Sequence, residues 1–453
     1  MKARLALALV ALPIAVHAQQ EFPATLAGHA WLPAQAATAV PPRDAPAMFD
    51  ISGKFVGPEW RRGEQVGSVP GNSYISAPGA PRKTGGATPI KGQPVQGFSS
   101  IKAQKDGTFY VLTDNGFGAK KDSADAMLMF HHVKVDWKEG KVTVLKTIFL
   151  RDPDRKVPFL IVTEATKERY LTGADFDPES MQFAGDSVWF GDEFGPYLIQ
   201  ADRTGKVQAV HETKLDGKVL RSPDHFAVNT PATAGPVATA VRRSRGFEGM
   251  ASSKDGKYLY PLLEGPLWID ADKKWEMNKD GREYLRIFEF DVAKGDWTGR
   301  AWKYRLEENG NNIGDFNMID ADTGLIIERD TLEGTPDDEC NGPPRTDCYP
   351  KAAKFKRVYK VSLTDADADG FVKKIGYVDL LNIKDTASVA RRGTKDGVFR
   401  FPFVTIEDVD VVDADHIVVA NDNNLPFSAG RKPNVQDDNE FILLRVPELL
   451  RAR

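Results

Sequence analysis

Apolar positions along this chain come in short blocks or alternate with polar ones. Turn signals punctuate them, and helical periodicity is almost absent. One stretch shows the pattern clearly. Arg245–Pro266 reads as a short strand opening on Glu248, an Asp255-Gly256 turn, and a second strand closing on Glu264. A hairpin reverses direction, so both acids fall at the same end of it. Four other segments repeat this layout: Gly97–Gly116, Asp175–Pro196, Ile313–Asp330 and Thr405–Asn424. Each has a central turn, at Lys105-Asp106-Gly107, Ala184-Gly185-Asp186, Asp322-Thr323-Gly324 and Asp413-Ala414-Asp415 respectively. Acid-to-acid separations of 14 (Glu179 to Glu193), 16 (Glu248 to Glu264) and 15 (Glu407 to Asp422) fit two strands of about six residues and a short turn.

Four of these hairpins lead into a second strand pair: Met127–Val135 with Lys141–Leu150, Tyr197–Ala201 with Lys206–Thr213, Tyr284–Val292 with Trp297–Leu306, and Arg357–Leu363 with Phe371–Leu380. The last is followed by the lone strand Glu440–Val446. Hairpin after hairpin, at a period of roughly 65–90 residues, predicts an all-β chain folded as a β-propeller of four-stranded blades. The lone strand implies that an N-terminal strand completes its blade and closes the ring. Five blades are clear, and residues 49–95, with short apolar runs among Gly, Pro and Ser, supply a sixth in this reading. A large β-sandwich or a pair of barrels would leave the recurrence unexplained.

In a propeller the innermost strands line a central channel, so acids at one end of every inner hairpin converge on one mouth. The group comprises Asp114, Glu179, Glu193, Glu248, Glu264, Asp315, Glu328, Glu407 and Asp422. Crowded carboxylates raise one another's pKa unless cations neutralise them. Oxygen-only ligands, with Asn115, Asn421, Asn423 and Asn424 adding neutral oxygens, suit calcium, or magnesium in its place, rather than zinc. The plainer reading of any single acid is a turn residue bonded to backbone amides; recurrence in phase favours the cation. A second candidate cation loop, Asp365-Ala366-Asp367-Ala368-Asp369-Gly370, has Gly376 where a helix–loop–helix calcium site needs its bidentate Glu. An acidic hairpin turn is its alternative.

Composition narrows the partners. With 60 Lys and Arg against 64 Asp and Glu, the net charge of −4 gives no reason to expect nucleic acid or a membrane surface. The chain opens with Met1-Lys2-Ala3-Arg4, an apolar run from Leu5 to Val16 and small residues before Gln19. Residues 1–18 therefore read as a cleaved secretory signal, too short to span a membrane, which takes roughly 20 residues. Residues 19–48 read as an extended lead-in and 49–453 as a single propeller domain. The expected product is an exported monomer in the periplasm or medium. There the two cysteines, Cys340 and Cys348, form a small disulfide.

Arg329, the Arg242-Arg243-Ser244-Arg245 run and Arg82-Lys83 lie near the acids and suggest a small anionic ligand. No Gly-x-Ser-x-Gly elbow occurs and the seven His show no triad spacing, so water attack assisted by a cation is the expected chemistry.

These segments resemble the phytase-like family of exported bacterial proteins, described as having esterase-like activity of the phytase type. The resemblance rests on Gly97-Phe98-Ser99, Asp114-Asn115-Gly116, Asp177-Pro178-Glu179-Ser180, Asp192-Glu193-Phe194-Gly195-Pro196, Gly246-Phe247-Glu248-Gly249-Met250-Ala251, Glu328-Arg329-Asp330, Ile406-Glu407-Asp408 and Asp422-Asn423-Asn424. It implies a propeller with calcium-assisted phosphoester hydrolysis. Two departures stand out: no dense basic stretch suits a hexaphosphate, and Asn115 stands where many relatives carry Arg. Glu248 and Glu264 are the expected acid–base groups, with Arg329 as the oxyanion contact. Asp114, Glu179, Glu193, Glu328, Glu407, Asp422 and Asn423 are the expected cation ligands. A calcium-dependent lactonase or carboxylesterase and a non-catalytic binding or scaffold propeller remain open alternatives.

Overall fold

The computed structural model describes residues 19–453 apart from 35–36, 76–80, 230–231 and 234. The expected signal segment, 1–18, lies outside the described residues.

Each recurrent hairpin forms the inner half of a four-stranded antiparallel blade. The first blade runs Phe98–Ala103, Thr108–Thr113, Met129–Asp136 and Lys141–Phe149. The second runs Pro178–Ala184, Ser187–Asp192, Tyr197–Asp202 and Val207–Glu212. The third runs Phe247–Ser252, Tyr258–Leu263, Tyr284–Asp291 and Asp296–Arg305. The fourth runs Asn312–Met318, Thr323–Arg329, Lys356–Ser362 and Lys373–Asp379. The fifth has Ile406–Val411, His416–Asn421 and Asn439–Arg445, and takes its outer strand, Thr25–Leu32, from the N-terminal region. That closing strand lies within the stretch expected to be an extended lead-in.

Five apolar wedges show that the ring closes at five blades. Leu112 and Phe130 of the first blade pack on Met181 and Phe190 of the second. Trp189 and Leu198 meet Met250 and Phe288 of the third, and Leu262 and Ile287 meet Phe316 and Ile326 of the fourth. Leu325 and Val358 meet Val409 and Ile442 of the fifth. The circuit ends where Val418 and Phe441 pack on Phe98 and Val111 of the first blade. Each fully buried aliphatic or aromatic side chain contributes roughly 1.5–3 kcal/mol. The inner strands read as near-continuous apolar runs because both faces are covered by neighbouring blades.

Residues 49–95 do not build the sixth blade expected of them. Among the described residues they form two-stranded ribbons: Ile51–Ser52 with Ile90–Lys91, and Val69–Ser73 with Arg82–Thr88. Gly and Pro, plentiful there, cannot sustain two inner strands buried on both faces. The ribbons pack instead over the ring. Cys340 and Cys348 are joined as expected, with Cα atoms 5.1 Å apart. Among the described residues no helix is long and apolar enough to cross a membrane.

Candidate metal centre at the channel mouth

Every inner strand carries a β-bulge at the same level. The pairing skips Ser99 in the first blade, Glu179 in the second, Glu248 in the third, one residue of Gly314-Asp315 in the fourth, and Glu407 in the fifth. A bulge leaves its extra residue unpaired and re-aims the side chain. Glu179, Glu248 and Glu407 are thereby turned into the mouth.

The second strand of each blade contributes one more position. The amides of Asp114, Glu193 and Glu264 bond back to the carbonyls of Gly97, Asp177 and Gly246. In the fourth blade Arg329 pairs with Asn312 at the equivalent place, and in the fifth Asp422 meets Thr405. The fourth blade therefore breaks both acidic series, with Gly314 at the bulge and Arg329 at the strand end. Gly314 has a steric reason: an added Cβ would sit 2.5 Å from the Ile406 carbonyl oxygen and 2.9 Å from the Glu407 Cα.

These side chains line a cavity of about 210 Å³ together with Tyr74, Asn115, Asp177, Arg245, Asn312, Thr405 and Asn424. Glu179, Glu193, Glu248, Glu264, Glu407 and Asp422 are at most 9% exposed, while Asp114 is half-buried. Oxygens of Asp177, Glu179 and Glu193 lie within 4.8 Å of one another, and so do those of Glu193, Glu248 and Glu264. Glu193 belongs to both triads. Burial first, and then the charge of neighbouring acids, pushes Asp114, Glu179, Glu193, Glu248 and Asp422 well above the ordinary carboxylate range.

Two arginines oppose this charge. Arg329 Nη2 lies 2.5 Å from Glu407 Oε1, 3.7 Å from Glu248 Oε1 and 4.0 Å from Glu264 Oε1. Arg245 pairs with the other oxygen of Glu264. They do not satisfy the site. Asp177 Oδ1, Glu193 Oε1 and Glu248 Oε1 are buried with no hydrogen-bond partner, a costly arrangement for a carboxylate. Orphaned carboxylate oxygens in two overlapping triads, with no His or Cys among them, fit a hard divalent cation such as calcium or magnesium.

Four expectations are corrected. Glu328 precedes Arg329 on an extended strand, so its side chain turns to the opposite face, between the third and fourth blades. There it accepts from Tyr304 Oη at 2.7 Å, Asn311 Nδ2 at 2.9 Å, Lys374 Nζ at 2.9 Å and the Glu307 amide at 2.7 Å. Asn423 spends its amide on the backbone, accepting from Gly97 N at 2.9 Å and donating to the Asp437 carbonyl at 3.2 Å. Asp315 sits below the mouth, where it bonds Asn317 Nδ2 at 2.9 Å and Ser100 Oγ at 3.4 Å. The loop of Asp365, Asp367 and Asp369 is an exposed hairpin turn. Asp367 caps the amides of Asp369 and Phe371, both at 2.9 Å, while Asp365 and Asp369 face Lys373 and Lys279.

Sequence reasoning missed Asp177 as a ligand candidate, although it stands two residues before Glu179 in a quoted motif. It also missed Tyr74, which had no local signal.

A family model described as "Phytase-like: Esterase-like activity of phytase" matches residues 93–425, well over half of the chain. The chain belongs to the phytase-like family. The matched span holds every acid of the mouth and leaves out the closing strand and Tyr74. An uncharacterized secreted protein of Arthroderma benhamiae is 30% identical over 127 residues, covering 26% of this chain and 24% of its own length. The chain thus aligns with about a quarter of that relative. Among solved structures, the periplasmic gluconolactonase of Pseudomonas aeruginosa is 11% identical with a TM-score of 0.30, covering 84% of this chain and 99% of its own. The calcium-binding protein regucalcin of Agrobacterium tumefaciens is 12% identical with a TM-score of 0.31, covering 77% and 90%.

Proposed function

We propose that this phytase-like protein is an exported hydrolase of phosphoesters that works with calcium held at the channel mouth, magnesium being the alternative ion. The observation that carries this reading is the set of orphaned oxygens buried on Asp177, Glu193 and Glu248, the last of them 3.7 Å from Arg329. The family description supports ester hydrolysis of the phytase kind. Export accords with the disulfide and with residues 1–18 as a signal.

Asp177, Glu179, Glu193 and Glu264 would hold the ion. When bound it neutralises their charge and acts as a Lewis acid toward a phosphoryl oxygen. Arg329 is clamped by Glu407, and its buried Nε has no partner, so it can donate to an anionic oxygen of the substrate. Glu248, its affinity for a proton raised by burial, takes one from the attacking water. The new bond joins the water oxygen to phosphorus, the bond from phosphorus to the leaving oxygen breaks, and that oxygen receives the proton from Glu248. Among the described residues only Arg329 and Arg245 bring positive charge to the lining, which suits one phosphoryl group rather than a hexaphosphate.

A panel of phosphomonoesters, phosphodiesters, lactones and carboxylesters, assayed with calcium and with chelator, tests the reading. Phosphoester turnover that disappears on chelation and in Glu248→Gln upholds it. Turnover confined to lactones or carboxylesters replaces it with the lactonase reading. A chelator-sensitive melting temperature without turnover leaves a binding or scaffold propeller.

A further inference from the structure

Tyr74 stands apart from everything else at the mouth. Among the described residues lining the cavity it alone carries an aromatic ring; the others are acids, amides, Arg, Ser, Thr and Gly. Its residue is 58% exposed, an unusual state for a large ring beside a dense polar site.

Its position is nevertheless fixed. It follows Ser73 at the end of the ribbon strand Val69–Ser73, and this ribbon is anchored by buried polar contacts. Ser73 Oγ donates to Glu333 Oε1 at 2.7 Å, and Arg82 pairs with the same oxygen. The Arg82 guanidinium lies 4.5 Å from the centre of the Tyr349 ring, next to the disulfide. Thr84 Oγ1 donates to the Pro426 carbonyl at 2.7 Å. At the mouth itself, Asn424 Nδ2 donates to the Tyr74 hydroxyl at 3.2 Å. That hydroxyl faces Arg329, Glu407, Asp422 and Glu264. A held side chain on a residue more than half exposed is preorganised for a ligand, because its ordering cost is met before binding.

We propose that Tyr74 selects the substrate: the phosphoryl group enters the charged cavity while a flat ring on the leaving alcohol lies against the Tyr74 face. The preferred substrates are therefore aryl or other ring-bearing phosphomonoesters rather than small alkyl ones. This rests on the phosphoester reading above. No acid of the mouth can supply the same selectivity, since carboxylates offer an apolar group nothing to pack on.

The test measures calorimetric binding of phenylphosphonate and methylphosphonate, which cannot be hydrolysed at the ester position, to the calcium-loaded full chain. Wild type should bind the phenyl compound about two- to tenfold more tightly, the range an aromatic pair contributes. Tyr74→Phe keeps the ring and should keep the preference. Tyr74→Ala should lose it while holding methylphosphonate as wild type does. Equal binding of both compounds by wild type overturns the inference alone, as does a phenyl preference that survives in Tyr74→Ala. Loss of both compounds in Tyr74→Ala with an unchanged melting curve overturns it too, by making Tyr74 a general anion contact; with a lowered melting curve, Tyr74→Phe decides. Failure of wild type to bind either phosphonate brings down the phosphoester reading and this inference with it.

Discussion

Arg329 Nη2 is 2.5 Å from Glu407 Oε1, and these two residues come from the second strand of one blade and the bulge of the next. Arg329 occupies the place that an acid holds in every other blade. Arg329 and Arg245 thus act as the resident counter-charges of the mouth, and the acids outnumber them.

Replacing Arg329 by Met should destabilise the chelated protein by about 3–5 kcal/mol, because buried carboxylates lose their partner. Calcium should recover much of that loss. Turnover should fall by about 100- to 1,000-fold even with calcium, as for a lost oxyanion donor. Denaturant titrations with and without chelator, beside steady-state assays, check both expectations.

Glu193 belongs to both oxygen triads, so Glu193→Gln should weaken calcium more than Glu179→Gln or Glu264→Gln does. Its loss should exceed the roughly 10–100-fold typical of partners outside the ligand shell. Glu328→Gln should leave calcium affinity unchanged and lower the melting temperature, since the buried Lys374 loses a charged partner. Calorimetry with calcium on the variants separates the two behaviours.

The stabilisation that calcium confers should shrink on acidification. A carboxyl whose folded pKa is raised binds its proton more readily folded than unfolded, so its ionised form costs stability above the folded pKa. The cost disappears as pH falls below the unfolded value. Asp177, a candidate ligand, is pushed by burial from 3.8 to about 7, and the other ligand acids move the same way. The melting difference between calcium-loaded and chelated protein should therefore narrow between about pH 7 and about pH 4. Buried His131, pushed down to about 3, loses stability over an overlapping range in both forms and cancels in the difference. Paired thermal scans across this range provide the check, and a difference that stays constant or widens would count against cation binding by these acids.

Gly314→Ala should cost about 1–3 kcal/mol, since the new methyl meets the fifth blade's backbone. A stability loss of that size, read from urea unfolding, would show why this blade contributes no acid at its bulge.

Blade grammar was legible in the sequence because inner hairpins carry their own turns, as at Asp255-Gly256, where Gly256 adopts φ +69. Recurrence in phase located Glu179, Glu193, Glu248, Glu264, Glu407 and Asp422 at one end. What failed was the side-chain face. Glu328 and Arg329 are neighbours in sequence, and only the register of the fourth blade decides which one turns inward. Asn423 looked like a ligand by adjacency to Asp422, but backbone partners from other segments claim its amide. Tyr74 was invisible because the contact that fixes its hydroxyl joins residues 350 apart. The count of six blades failed for a related reason: the ribbon segment has strand-like runs but no pair capable of burial on both faces.

The fifth blade is stitched from strands far apart in sequence, and the buried His29–Glu440 contact across that seam spans 411 residues. This same blade supplies Glu407 and Asp422. The acidic mouth therefore cannot be complete until the last seam has formed. Under the proposed function, calcium capture would read out finished assembly: a partly folded chain, even with four blades in place, would lack two of the mouth's acids, one of them the Glu407 that clamps Arg329.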